Sequence, residues 1–179
     1  MHYVLNPMLW RSLITGAHLR PWRHVRDLSQ LSLGDLDEVG VRGVVLDADN
    51  TLVFHGTQDL NPVVAPAFEA LRARFTCVLF SNRSPERHAR LTTFAGELGL
   101  PIVEQTHKKP EAGGFLRAAE LAGLPPTQLV MIGDRVLTDI LGANRAGLRS
   151  VLVDPFDGEE PGALTLIRRV ERARLRSLG

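Results

Sequence analysis

Five short apolar segments alternate with segments of helical character along this chain, and that alternation constrains its fold more than any other feature. The apolar segments do not alternate strictly with polar residues, which is typical of strands buried on both faces of a sheet. They lie at residues 44–47, 76–81, 101–104, 128–132 and 150–153. The helical segments lie at residues 62–73, 85–98, 110–122 and 136–146. The pattern is typical of right-handed βαβ units and predicts an α/β fold: a doubly wound, three-layer α/β/α sandwich around a parallel five-stranded sheet.

The length and composition of the chain favour one domain. Its 179 residues suffice for one core, and neither an internal repeat nor a low-complexity linker divides them. We therefore predict a single domain over residues 1–179, with a core at about 41–154 and helical flanks at 1–40 and 156–179. The only cysteine, Cys77, is expected in the core, which fits a reducing compartment. No apolar stretch approaches the roughly 18 residues of a membrane span, so a cytoplasmic protein is expected.

Two carboxylates stand where the first apolar segment ends. Asp47 and Asp49 follow Val44-Val45-Leu46 directly, and open α/β sheets bind their ligands at this carboxyl edge. Positions i and i+2 of an extended chain point the same way, so both side chains can face one pocket. Two like charges so close repel each other unless a cation or a proton accompanies them. An aspartate-rich surface turn has the same local pattern, so the choice depends on the rest of the chain.

Three further features are expected at the same edge of the sheet. The second predicted strand ends in Ser81, whose hydroxyl can donate to a phosphate oxygen, and Asn82 follows it. Lys108 and Lys109 are the only lysines among 21 basic residues, which indicates a site that needs a compact ammonium charge. A Gly-Asp-x-x-x-Thr-Asp motif at residues 133–139 follows the fourth predicted strand and again places carboxylates after a strand.

The acid pair, the hydroxyl, the lysine and the Gly-Asp-x-x-x-Thr-Asp motif occur in this order, each at its own strand-to-helix junction. In this they resemble the haloacid dehalogenase-like (HAD) phosphatases, over about residues 41–154. The motifs Asp-x-Asp-Asn-Thr-Leu, Ser-Asn, Lys-Pro and Gly-Asp-x-x-x-Thr-Asp are more narrowly similar to those of the capless subclass IIIA phosphatases of the YqeG type. That group is similar to mitochondrial phosphatidylglycerophosphatase. The resemblance implies a hydrolase of phosphate monoesters.

The resemblance also implies a role for each carboxylate. Asp47 would be the nucleophile that forms an aspartyl-phosphate. Asp49 would protonate the leaving alkoxide and then deprotonate the attacking water. Mg²⁺ would be bound by the Asp47 carboxylate, the Asp49 backbone carbonyl and Asp134. Asp139 would orient the lysine or a metal-bound water.

The resemblance also implies that other groups would bind the oxygens of the transferred phosphoryl group. They are the hydroxyls of Thr51 and Ser81, together with Asn82 and the backbone N–H groups of residues 47–50. For Asn82, as for Asn50, shaping of the loop is the alternative role.

A lysine would balance charge in the transition state. Its place before Pro110 indicates Lys109, although the doubled lysine leaves Lys108 open. His55 and His107 are near the site in sequence, but we expect both to be peripheral because the mechanism needs neither.

The spacing of the motifs leaves no room for a cap domain. Asp47 and Ser81 are 34 residues apart, and Ser81 and Lys109 are 28 residues apart. One loop, one helix and one strand fill each interval, and residues 54–59 suffice only for a small flap. The site is therefore predicted to be open, so that a bulky substrate, a membrane surface or another subunit of an oligomer covers it.

The net charge of +1 conceals a basic segment at each end of the chain. Residues 1–26 and residues 164–179 each carry +4, and the residues between them carry −7. Apolar residues recur at roughly helical spacing among the arginines of the first segment: Leu9, Trp10, Leu13, Ile14 and Trp22. Such a segment suits an anionic lipid surface. The alternative is a terminal helix that docks on the domain and exposes its arginines to water.

Phosphatidylglycerophosphate ranks first as the substrate, because the resemblance, the missing cap and the basic ends agree. A phosphorylated soluble metabolite, such as a nucleotide or sugar phosphate, is the alternative. A regulatory module that binds RNA or ribosomes through its arginines is a different class of function. The filled catalytic positions argue against that module, so nucleic acid is not expected as a partner. We predict a Mg²⁺-dependent phosphatase that is cytoplasmic and peripheral to the inner face of the membrane.

Overall fold

A parallel sheet of five strands forms the centre of the computed structural model, which describes residues 15–16, 18–55, 57–156 and 173. The strands are β1 (Arg23–Val25), β2 (Gly43–Leu46), β3 (Thr76–Leu79), β4 (Leu129–Gly133) and β5 (Arg149–Val153). Their order across the sheet is β1-β5-β4-β2-β3, and every neighbouring pair is parallel. The predicted α/β fold with a parallel five-stranded sheet is confirmed.

Five helices accompany the sheet in the described part of the chain. They are α1 (Leu33–Glu38), α2 (Ala65–Arg74), α3 (Pro85–Glu97), α4 (Ala112–Ala122) and α5 (Leu141–Ala146). A π-helical turn at Val136–Ile140 leads into α5, and 3-10 turns lie at Leu28–Gln30 and Pro126–Gln128. The Ser84 side chain caps α3 by accepting from the Arg87 N–H. None of the helices in the described residues is long and apolar enough to cross a membrane.

Helices cover both faces of the sheet, so the three predicted layers are present. Successive residues of a strand point to opposite faces. Leu46 therefore packs in one buried cluster with Phe68 of α2 and Leu91 of α3, whereas its neighbour Val45 packs in another with Phe115 of α4. Because both faces are buried there, the central strands β2 and β4 are apolar throughout, as the sequence pattern indicates.

Cys77 lies in the first of these clusters, as predicted. Burial raises the pKa of its thiol to about 11. The thiol is therefore protonated at neutral pH and behaves as a small apolar side chain.

One edge of the sheet differs from the prediction at residues 101–104. This segment contacts the sheet through a single bridge: the Leu79 N–H donates to the Pro101 carbonyl (2.9 Å), and the Leu79 carbonyl accepts from the Val103 N–H (2.9 Å). Pairing stops there because β3 ends at Leu79 and the chain turns after Val103, with the His107 N–H donating to the Glu104 carbonyl (3.1 Å). The prediction of a strand at 101–104 is wrong.

The other edge holds β1, which lies within the flank that the sequence predicts to be helical. It pairs with β5. Two hydrogen bonds extend this pairing: the Trp22 N–H donates to the Ser150 carbonyl (2.8 Å), and the Asp154 N–H donates to the Arg26 carbonyl (3.0 Å). The prediction of a helical flank over residues 1–40 is therefore wrong at this point. The strand Arg-His-Val has no apolar run, so only its tertiary pairing specifies it. The predicted apolar positions from Leu9 to Ile14 and the flank after residue 156, except Ala173, lie outside the described residues.

The loop after β2 forms a short hairpin at the carboxyl edge of the sheet. An antiparallel bridge between Val53 and Leu60 closes it, and the Thr57 N–H donates to the Phe54 carbonyl (3.0 Å). The Phe54 ring contacts Phe156 edge to face at 5.9 Å. The described residues between Asp47 and Lys109 otherwise form α2, β3, α3 and their connections, so they contain no cap domain.

Candidate active site

A polar pocket opens at the carboxyl ends of β2, β3 and β4. The sheet reverses its strand order here, because β3 follows β2 on one side while β4 lies on the other, and open α/β sheets form ligand crevices at such a point. Side chains from four chain segments line the pocket: Asp47, Asp49, Asn50, His55, Ser81, Asn82, Lys109, Asp134, Arg135 and Thr138. Three carboxylates and several cationic groups therefore meet in one crevice.

The loop after β2 turns both carboxylates of the acid pair into this pocket. The Ala48 carbonyl accepts from the N–H groups of Leu52 (2.9 Å) and Val53 (3.0 Å), which folds the loop back on itself. Asn50 has a positive φ of 59°, a left-handed conformation that asparagine tolerates better than most residues. Asp47 and Asp49 line the pocket while Ala48 between them is buried in the core, as the period of two predicts.

Two of the backbone N–H groups predicted to bind phosphate are engaged elsewhere. The Asp47 N–H donates to the Ile132 carbonyl (2.9 Å) and so continues the pairing of β2 with β4. The Asn50 N–H donates to the Val53 carbonyl (2.8 Å) and closes the turn. The expectation is therefore wrong for these two groups.

Lys109 lies at the base of the pocket between two carboxylates. Its Nζ is 2.9 Å from Asp47 Oδ1 and 2.6 Å from Asp139 Oδ1, and its side chain is 1% exposed. Burial by itself lowers the pKa of Lys109, but the charges of Asp139 and Asp47 outweigh burial and raise it above the usual value. The ammonium is therefore charged at neutral pH and faces Asp47 directly.

Lys108 has a different place. Its Nζ donates to the Arg83 carbonyl (3.4 Å), and its side chain does not line the pocket. Asn82 fixes the backbone of the next residue: its amide nitrogen donates to the Lys109 carbonyl (2.8 Å) and its amide oxygen accepts from the Lys109 N–H (2.9 Å). Asn82 thus shapes the lysine loop, and its contact with phosphate stays a prediction.

Asp139 lies behind the lysine and is fully buried. One carboxylate oxygen pairs with Lys109, and the other accepts from the Arg135 N–H (3.0 Å). A Cβ on Gly133 would come within 2.4 Å of Asp139 Oδ2, so only glycine allows the carboxylate this close to β4. With both oxygens occupied, Asp139 is suited to orient Lys109.

The carboxylates of the pocket fit a small divalent cation. Oxygens of Asp47, Asp134 and Asp139 lie within 4.8 Å of one another. Because both oxygens of Asp139 already have partners, Asp47 and Asp134 are the carboxylates best placed to bind the ion. Mg²⁺ is commonly held in this way, by one or two carboxylates with the substrate phosphate and water completing its coordination.

The two predicted phosphate-binding hydroxyls lie in different environments. Ser81, at the end of β3, lines the pocket. Thr51 is buried below it, and its hydroxyl has no hydrogen-bond partner among the described residues. Thr51 does not line the pocket, and its predicted contact with phosphate stays a prediction.

Three residues in or beside the pocket have no role in the sequence-based prediction. Arg83 binds Asp49 with a two-pronged contact (2.9 and 2.8 Å), although it does not itself line the pocket. Arg135 and His55 do line it, whereas the sequence gave Arg135 no role and placed His55 outside the site. Arg83 lies two residues after Ser81, and residues i and i+2 of an extended chain point to the same side. This spacing was a signal in the sequence that Arg83 lies near the site.

Similar sequences show which family this chain belongs to. The family model described as mitochondrial PGP phosphatase matches residues 8–156 of the chain. The chain belongs to this family. Similar proteins include the probable phosphatase YqeG of Bacillus subtilis, 32% identical over 88% of this chain and 90% of that protein. Phosphatidylglycerophosphate phosphatase 1 of Chlamydomonas reinhardtii is 34% identical over 86% of this chain and 61% of that protein.

Solved structures place this PGP phosphatase family member within a wider fold. A haloacid dehalogenase-like family hydrolase from Xanthomonas campestris superposes with a TM-score of 0.51 at 13% identity, over 77% of this chain and 95% of that chain. A HAD-like phosphatase from Mesorhizobium loti gives a TM-score of 0.50 at 20% identity, over 78% and 88%. Identities this low show the fold alone. Together with the family, they confirm a capless phosphatase of the HAD type.

Proposed function

We propose that the chain is a Mg²⁺-dependent phosphomonoesterase that works through an aspartyl-phosphate intermediate on Asp47. The observation that supports this most is the approach of the Lys109 ammonium to Asp47 Oδ1, 2.9 Å, in a pocket that also contains Asp49 and Asp134. A nucleophilic carboxylate, a second carboxylate for proton transfer and a buried cation are the groups that phosphoryl transfer requires.

The proposed reaction has two steps on the residues of the pocket. An Asp47 oxygen forms a bond to phosphorus while the bond from phosphorus to the ester oxygen breaks. Asp49 donates a proton to this leaving ester oxygen. A water then attacks the aspartyl-phosphate, loses a proton to Asp49 and regenerates the Asp47 carboxylate. Lys109 balances the charge of the phosphoryl oxygens in both steps. Mg²⁺ on Asp47 and Asp134 would supply further charge stabilisation and hold a phosphoryl oxygen.

We infer that the substrate is a glycerophospholipid with a terminal phosphate monoester, of the phosphatidylglycerophosphate class. The algal relative named above supports this assignment, and a pocket without a cap domain suits a bulky lipid. Arg135 adds an argument from the chain itself, because it lines the pocket and its buried Nε has no hydrogen-bond partner among the described residues. A phosphatidylglycerophosphate headgroup has a phosphodiester near the reacting phosphate, which would give this guanidinium an anionic partner.

Phosphate release tests the proposal. Short-chain phosphatidylglycerophosphate in detergent micelles, glycerol 3-phosphate and a nucleoside monophosphate would be compared, each with Mg²⁺ and with a chelator. We expect release to require Mg²⁺ and kcat/KM to be highest for the lipid. Arg135→Met should reduce the preference for the lipid over glycerol 3-phosphate, whereas the surface variant Arg117→Met should not. A preference for the nucleotide or for glycerol 3-phosphate would make a soluble metabolite the substrate.

We propose also that the protein acts at the inner face of an anionic membrane from the cytoplasmic side. The support is the charge of +4 on residues 1–26 and on residues 164–179, since each basic residue near such a surface contributes about 1 kcal/mol. Co-sedimentation of the full chain with vesicles rich in anionic lipid should be strong at low salt and weak at high salt. A protein that stays in the supernatant at low salt would contradict this location without affecting the proposed chemistry.

A further inference from the structure

Arg83 and Asp49 form an ion pair at the wall of the pocket. The Arg83 Nε donates to Asp49 Oδ2 (2.9 Å) and the Nη2 donates to Asp49 Oδ1 (2.8 Å), so the guanidinium engages both carboxylate oxygens. The side chain of Arg83 is 2% exposed and that of Asp49 is 15% exposed. This two-pronged geometry fixes the plane of a carboxylate, which one hydrogen bond does not do.

The burial of this pair argues for a functional role. Removing two charges from water costs several kcal/mol for each ion, so a buried pair contributes little net stability compared with apolar packing of the same volume. Lys109, Asp47 and Asp139 form a second buried charged group in the same site. Arg83 is thus placed where charge is costly and where the proposed chemistry needs Asp49.

The backbone of Arg83 is also held. Its carbonyl accepts from Lys108 Nζ (3.4 Å) and from the Gln105 side-chain amide (3.5 Å). These contacts join the loop after β3, which presents Ser81, to the loop that presents Lys109. Arg83 is therefore held both at its backbone carbonyl and, through Asp49, at its guanidinium.

Asp49 needs such support because it lies on a loop. Proton transfer requires the carboxylate to be within hydrogen-bond reach of the ester oxygen and later of the water. A carboxylate has about four lone-pair sites, and the two donors of Arg83 occupy one on each oxygen of Asp49, which also lines the pocket.

We propose that Arg83 is a positioning residue that holds the Asp49 carboxylate in the orientation needed for both proton transfers. This inference rests on the proposed function, because it acts only through the acid and base role of Asp49. It makes Arg83 a determinant of which leaving groups the enzyme can expel, since an alkoxide needs a proton from Asp49 far more than a phenolate does.

The first test compares kcat/KM for an alkyl phosphate and an aryl phosphate, because this ratio reports the step in which the leaving group departs. For Arg83→Met we expect kcat/KM on the alkyl ester to fall by about 10²-fold, within the usual contribution of general acid catalysis. The fall in kcat/KM on the aryl ester should be at least about tenfold smaller. Arg117→Met removes a two-pronged contact to Glu104 on the surface and serves as the matched control, with both values unchanged. Equal losses on the two esters would overturn the proposal.

The second test is a double-mutant cycle with Asp49→Asn. If Arg83 acts through Asp49, Arg83→Met should cost less than about two-fold on the alkyl ester in the Asp49→Asn background, although it costs about 10²-fold on that ester in the wild type. The same loss in both backgrounds would mean that Arg83 contacts the phosphate itself or only maintains the fold, and would overturn the proposal.

Two further measurements keep the result decisive. Arg83→Lys retains the charge without the two-pronged contact, so it should remain folded and show the same preference for the aryl ester as Arg83→Met. In Arg83→Ala, added guanidinium ion should partly restore the activity on the alkyl ester, which a structural role would not predict. If the wild type releases no phosphate from either ester, the proposed function fails. If Asp49→Asn alone is impaired, only the inference about Arg83 fails.

Discussion

Two clusters of ion pairs use similar groups in opposite surroundings. In the pocket cluster, Lys109 Nζ lies 2.9 Å from Asp47 and 2.6 Å from Asp139 while being 1% exposed. In the surface cluster, Arg117 Nη2 lies 2.7 Å from Glu104 and Nη1 3.0 Å from Glu120, but the Arg117 side chain is 35% exposed. The distances are nearly the same. What differs is the solvent around the charges.

That difference decides what each cluster can do. Water and salt screen the surface pairs, so they contribute little to stability. The pocket charges are screened far less, so they act strongly on one another and on any phosphoryl group that enters. Removal of one partner there leaves a buried charge unpaired, which is strongly destabilising. Substitutions in the pocket cluster should therefore lower activity far more than substitutions in the surface cluster.

The largest effect is expected for Asp47→Asn. The amide is nearly isosteric but cannot form the aspartyl-phosphate, so kcat should fall by about 10⁴-fold or more, the scale seen when a nucleophile is removed. Phosphate release from an aryl ester measures it, with circular dichroism as the control for folding. A folded Asp47→Asn protein with the activity of the wild type would refute the mechanism. The pocket cluster would then differ from the surface cluster in burial but not in catalytic role.

Lys109→Ala should have the next largest effect. Loss of the ammonium beside Asp47 should cost about 3–4 kcal/mol of transition-state stabilisation, as for the loss of an oxyanion donor. Lys109→Arg should not restore the activity fully, because a planar fork does not replace a compact ammonium. Lys108→Ala, which removes only the contact with the Arg83 carbonyl, is the matched control and should be mild. The opposite ranking in kcat/KM would move the role to Lys108.

Gly133→Ala tests the positioning of the lysine without changing a charge. The new Cβ would meet Asp139 Oδ2 at 2.4 Å, so Asp139 has to move and Lys109 with it. We expect activity to fall by about tenfold and the free energy of unfolding to fall by about 1–3 kcal/mol, as in other overpacked sites. Gly96→Ala in α3 is the control, since nothing lies within 4 Å of its Cβ position. Equal kinetics for the two alanine variants would show that Asp139 does not orient the lysine.

The smallest effect is expected for Arg117→Met in the surface cluster. Its kcat/KM should remain within about two-fold of the wild-type value. Hydrogen bonding to Arg117 lowers the pKa of Glu104 from 4.5 to about 2, so the pair stabilises the fold above about pH 4.5 and loses this contribution as the pH falls towards 2. The difference in Tm between the wild type and Arg117→Met should accordingly be small near neutral pH and vanish at about pH 2. A difference that grows on acidification would contradict this assignment.

The location of most site residues was predictable from the sequence because they follow the ends of strands. Asp47, Asp134 and Ser81 each follow a buried apolar strand, and parallel strands bring their carboxyl ends to one edge. The choice between Lys108 and Lys109 was not predictable in the same way, because adjacent residues in a loop have no fixed period. The structure places only the Lys109 ammonium on Asp47.

The errors concern segments whose pairing is decided at a distance. Residues 101–104 have the composition of a strand, but they have only the end of β3 as a partner and form one bridge. Residues 23–25 lack an apolar run, yet β5 offers them a free edge and they complete the sheet. Local composition does not contain this information, because a strand is stabilised by the chain that it pairs with.

The sequence by itself determined the alternation of strands and helices, the two-sided burial of the sheet and the carboxylates, hydroxyl and lysine at its edge. Those features follow from hydrophobic period and from residue order, which are local properties of the chain. Only the tertiary structure decided which cation reaches which carboxylate: Lys109 with Asp47 and Asp139, and Arg83 with Asp49. Residues 34 positions apart, such as Asp49 and Arg83, meet only after β2 and β3 have paired, and burial then gives their contact its strength.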